Sequence, residues 1–136
     1  MATGVRFVMW MVIAHYAVNT AHGMAHSELA IPLSRWQQTF IAAAILAAPA
    51  VAWLLVWRGS PRSGAWLLIF SLAGSLLFGA WYHFVATSPD HVSHLPAVGA
   101  PAWKLIFQIT TVLLIPTEAL GAWAGLRLLQ SVQQKP

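Results

Sequence analysis

The chain has no cysteine, which excludes disulfides, thiolate metal sites and iron–sulfur clusters, all of which need sulfur. Charge is scarce as well. Seven Lys or Arg and three Asp or Glu make up 7% of 136 residues, whereas a soluble domain carries about 25%. So few charges cannot cover a water-facing surface of this size. A mean hydropathy of +0.69 and a hydrophobic content of 59% make lipid the expected solvent. Also missing are a phosphate-cradling glycine loop, a nucleophile–base pair and any basic run. The pI of ≈ 10.4 therefore does not point to nucleic acid, whose footprint is a clustered basic patch, and no nucleic-acid partner is expected.

What the chain does have is long apolar runs. A bilayer core of roughly 30 Å takes about 20 apolar residues per helix. Four stretches fit, at about 5–26, 36–57, 63–85 and 102–126. The breaks between them carry turn chemistry: Pro32 with Ser34, then Gly59-Ser60-Pro61, then Ser88-Pro89-Asp90 through Pro101. The expected fold is an all-α integral membrane protein, a single domain of four transmembrane helices with an outer loop at about 86–101. Arg6, Arg58, Arg62, Arg127 and Lys135 fall on one side, and Arg35 and Lys104 on the other. The positive-inside rule then puts both termini in the cytoplasm, with the bacterial inner membrane as the expected location. Trp36, Trp57, Trp66, Trp81 and Trp103 sit near span ends, as interfacial anchors do. Pro49 and Pro116 interrupt spans and should bend them. Gly121 and Gly125 form a GxxxG pair in the fourth helix, expected to pack within the bundle, with a homo-oligomer contact as the alternative.

The six His are the informative feature. His15, Asn19, His22 and His26 fall within an arc of roughly 60° on the first helix. Such a stripe should face the bundle interior, because lipid cannot satisfy it. His22 and His26, spaced i, i+4, put two imidazoles within reach of one ion. His83 ends the third helix, at the same outer end of the bundle. The loop adds His91 and His94, i and i+3 on an expected short helical turn begun by Ser88 and Pro89. Gln108, early in the fourth helix, reaches the same layer. His22, His26 and His83 are the expected core ligands of a transition metal (Cu, Zn or Fe) or of haem b, with His91 and His94 as lid ligands and Asn19 and Gln108 as supporting polar groups. His15 and Glu118, the one carboxylate inside a span, lie at similar depth and are expected to pair, since an ionised carboxylate there is costly alone.

The HxxxH at His22/His26 and the HxxH at His91/His94 resemble the histidine boxes of membrane di-iron desaturases and hydroxylases, although this sequence has no adjacent His pair. The bundle is also similar to small four-helix b-type cytochromes, whose haem ligands pair across helices, as His22 or His26 with His83 would. Neither resemblance spans enough of the chain to assign a family. The functional expectation is a metal or haem site at the outer end, serving redox chemistry or metal handling, with a quinone or a membrane-complex partner where haem is bound. The alternatives are a proton-linked transporter or channel component, and a non-catalytic accessory subunit of a larger membrane complex.

Overall fold

The computed structural model describes residues 2–134; Lys135, used above for orientation, lies outside them. Four helices carry the chain: α1 Ala2–Glu28, α2 Arg35–Trp57, α3 Pro61–Val85 and α4 Pro101–Gln133. No strand occurs among the described residues. The helix starts follow local chemistry. Ser34 caps α2 through a capping box, accepting from the Gln37 amide at 3.2 Å while Gln37 Oε1 accepts from the Ser34 amide at 2.9 Å. Pro61 and Pro101 occupy the first positions of α3 and α4, where a missing N–H costs nothing. Gly59, at φ 85°, turns the chain between α2 and α3.

Three helices, α2, α3 and α4, are long and apolar enough to cross a membrane; α1 is long enough but not apolar enough. The polar stripe His15–Asn19–His22–His26 lowers the hydropathy of α1, so of the four expected spans three reach that threshold among the described residues. α4 also continues beyond Leu126 to Gln133, because a helix does not stop where its hydrophobic run does. The short helical turn expected in the loop is absent. Two successive reverse turns replace it, with the His91 amide donating to Ser88 O at 3.1 Å and the His94 amide to His91 O at 2.9 Å.

The helices run up-down-up-down. α4 packs along both α1 and α3, and α3 along α2, whereas α1 and α2 touch only sparingly. Close approach rests on glycine. A Cβ on Gly64 would stand 2.6 Å from Ala52 O, and one on Gly121 would stand 2.3 Å from Leu72 Cδ1. The Gly121/Gly125 face of α4 is thus occupied within the chain, against Leu72, Ile69 and Ala65 of α3. One half of the bundle is filled by Val8, Val12, Val56, Leu68, Leu72 and Leu128. Polarity is otherwise inverted relative to a soluble protein. Phe70, Leu77, Leu105 and Val112 are exposed, while His15, Ser75, His83 and Glu118 are buried.

Both proline-bearing helices remain continuous. In α2 the turns before Pro49 widen into a π-helical segment, Ile41–Ala47. Pro49 has no N–H for Ile45 O, and that carbonyl instead accepts from His15 Nε2 at 2.8 Å.

Candidate metal site

The helices bring His22, His26, His83 and Asp90 together, with one ligand-type atom of each within 4.8 Å of all the others. α1 supplies His22 and His26 from successive turns of one face. α3 supplies His83 from a terminal π-helical turn, Trp81–Val85; such insertions recur at functional sites because they re-aim a side chain. The loop folds back so that Asp90 reaches the same point, fixed by the Val92 amide donating to His83 O at 3.0 Å. Phe107 of α4, fully buried, forms the wall behind all three imidazoles, at ring separations of 4.6 Å, 5.2 Å and 5.5 Å.

The hydrogen bonds around the cluster decide which nitrogens are free. Asp90 O is a carbonyl and can only accept, so His83 Nδ1 donates to it at 2.9 Å, leaving the lone pair on Nε2. Thr110 gives its hydroxyl hydrogen to Ile106 O at 2.7 Å, so its oxygen accepts from His22 Nδ1 at 3.0 Å. The lone pair of His22 is then on Nε2, which is buried and has no hydrogen-bond partner. Metal-ligating imidazoles are held this way, one ring nitrogen anchored to an oxygen and the other left bare.

Asp90 Oδ1 lies 3.0 Å from His26 Nε2 and 3.2 Å from His83 Nδ1. Neither approach has hydrogen-bond geometry, so this buried oxygen also lacks a hydrogen-bond partner. A tetrahedral ion with bonds near 2.0–2.1 Å holds its ligand atoms about 3.3 Å apart. The 3.0 Å between Asp90 Oδ1 and His26 Nε2 is close to that spacing, and the four residues' ligand-type atoms all lie within 4.8 Å of one another, a group small enough to close around one ion. Burial alone would push the Asp90 carboxyl up, but the contacts with His26 and His83 outweigh it and hold the group well below the usual carboxylate range. Asp90 is therefore an anion at neutral pH, ready to act as a ligand.

The cluster does not suit haem. His22 and His83 meet edge to face with ring centroids 4.8 Å apart, and His22 and His26 at 4.9 Å. Rings in direct contact leave no slot for a flat macrocycle between them.

The remaining expected residues separate into two groups. His91 and His94 lie against each other on the loop, their rings tilted by 37° with centroids 4.6 Å apart, outside the cluster. His91 Nδ1 accepts from the Ser93 amide. Gln108 donates to Val92 O at 3.3 Å and so braces the loop rather than facing the histidines. His15 and Glu118 take different partners instead of each other. His15 donates from Nε2 to Ile45 O and accepts at Nδ1 from Asn19 at 3.2 Å, while Glu118 accepts from the Ser75 hydroxyl. Sequence reasoning missed Asp90, Thr110 and Phe107 as members of the site. A signal for Asp90 was present: it is one of only three carboxylates in the chain and stands in the histidine-bearing loop.

Beside the cluster lies a cavity of about 470 Å³, lined among others by Asn19, Ile45, Ser75, Phe78 and Glu118 as well as the four cluster residues. No protein-family model matches the chain, and no curated protein or solved structure matches it.

Proposed function

We propose that the chain is a four-helix membrane protein that binds one divalent transition metal through His22, His26, His83 and Asp90. The observation that carries this reading is that His22 Nε2 and Asp90 Oδ1 are buried without hydrogen-bond partners in a group whose ligand-type atoms lie within 4.8 Å of one another. A buried polar atom without a partner costs about 1–3 kcal/mol, and metal coordination removes that cost for both atoms. Three imidazoles and one carboxylate suit zinc, iron(II) or copper(II). Bound there, the ion would tie α1, α3 and the loop together and act as a Lewis acid toward whatever occupies the neighbouring cavity.

In this reading α1 crosses the bilayer with the other three helices, its polar stripe turned inward against α2, α3 and α4. Both termini lie in the cytoplasm and the metal lies toward the outer face. Metal handling and metal-assisted chemistry fit the site better than proton conduction, because the half of the bundle beyond Glu118 is packed with aliphatic side chains.

Elemental analysis of protein purified in mild detergent tests the reading. One zinc, iron or copper per chain is expected, lost from His22→Ala, His83→Ala and Asp90→Ala but kept in His91→Ala and His94→Ala. A wild-type chain that takes up none of the three metals after supplementation would overturn it.

A further inference from the structure

The cavity has a shape and lining of its own. It is lined from all four helices, and two of them, α1 and α2, are the one neighbouring pair in the bundle that touches only sparingly. Its walls are mostly apolar, with Ile41, Ile45 and Leu46 from α2, Phe78 from α3 and Leu114 from α4. Its volume is within the roughly 300–1,000 Å³ range of small-molecule sites. At its deep end Glu118, 2% exposed, accepts the Ser75 hydroxyl at Oε1, and its second oxygen has no hydrogen-bond partner among the described residues. On α1 the seam is bordered by Gly23, where a Cβ would meet nothing within 4 Å.

A cavity with mostly apolar walls, bordered by the four cluster residues and by a buried carboxyl with one oxygen free of hydrogen bonds, suits a lipid-soluble molecule with a polar head. A water-soluble ligand would forfeit its hydration along the apolar walls. A pure hydrocarbon would leave the Glu118 oxygen without a partner. We propose that this cavity binds an uncharged, long-chain lipophile bearing a hydroxyl head, which enters from the bilayer through the α1–α2 seam and hydrogen-bonds with Glu118. The inference rests on the reading of the chain as membrane-embedded, but not on the metal.

The test uses full-length protein in nanodiscs, incubated with 1-dodecanol or dodecane, passed through gel filtration, and assayed for retained ligand by gas chromatography. Dodecanol should be retained near one per chain and dodecane at least tenfold less. Glu118→Leu removes the head-group partner, and Gly23→Leu narrows the seam from a position where an added Cβ meets nothing within 4 Å. Each should lower dodecanol retention at least tenfold while leaving metal content unchanged. Equal retention of dodecane and dodecanol, or dodecanol retention untouched by Glu118→Leu, overturns the proposal. Carbonate washing of the source membranes is run beside it. Protein released by the wash overturns the membrane reading itself, whereas washed, membrane-held protein that retains no dodecanol overturns only the cavity assignment.

Discussion

Two histidine layers on a single helix behave differently. His15 and His22 belong to the same stripe of α1, both are buried, and both meet a backbone or hydroxyl oxygen of another helix. His15 is fully satisfied: Nε2 donates to the carbonyl that Pro49 leaves free, and Nδ1 accepts from Asn19. His22 is half satisfied, with Nδ1 anchored and Nε2 bare. In the upper layer a carboxylate from the loop, Asp90, stands against the imidazoles, whereas Glu118 in the lower layer bonds to Ser75 and not to His15. A polar stripe in a membrane helix thus splits into a structural half and a ligand-ready half, and the count of unused lone pairs separates them.

The largest contrast should come from ligand loss. His22→Ala should take metal from one per chain to background, while His15→Ala should leave metal content unchanged, both read by elemental analysis. If both variants lose metal equally, the separation of layers is wrong. Packing comes next. Gly64→Ala forces a methyl against the α2 backbone at Ala52 O, and overpacking of this kind costs about 1–3 kcal/mol, measurable by denaturant unfolding in detergent. Thr110→Val keeps every ligand but removes the oxygen that holds the His22 tautomer. Loss of such an outer partner typically weakens metal binding about 10–100-fold, which competition with a chelating dye would read. His15→Ala leaves Ile45 O without its donor and should cost about 1–3 kcal/mol of stability with no change in metal affinity.

Acid sharpens the same contrast. The Asp90 carboxyl, facing His26 and His83, is held below its unfolded value of about 3.9, so its ionised form adds stability that is fully present above that pH and is lost as pH falls further. Metal-free Asp90→Asn should therefore unfold with a weaker pH dependence below about pH 4 than the metal-free wild type. The smallest effect belongs to His91→Ala and His94→Ala. Those side chains face one another on the loop surface, and metal content and stability should stay within about 0.5 kcal/mol of wild type.

Much of the molecule was legible in its sequence because a few strong signals carry it. The apolar runs and the Pro and Gly punctuation locate four helices, and the i, i+4 spacing of His22 and His26 with the position of His83 locates three of the four cluster residues. What was not legible depended on loop geometry and on competition among partners. The sequence makes His91 and His94 the natural lid, since they are the loop's imidazoles. The loop instead turns twice and delivers Asp90, because its reverse turns pull the Asp90 carbonyl onto His83 Nδ1. The His15–Glu118 pair failed for a related reason. Equal depth places two groups in one layer, but His15 is drawn to the carbonyl that Pro49 vacates and Glu118 to the hydroxyl of Ser75.

By itself the sequence determined that this is an all-helical chain with an apolar exterior and a polar stripe along one helix, because composition and 3.6-residue periodicity are properties of the chain alone. Which members of that stripe keep a free lone pair was decided only by the tertiary structure. A lone pair is free or used according to the atoms that surround it, and those atoms come from Ile45, Asp90 and Thr110, distant in sequence and brought close only by packing.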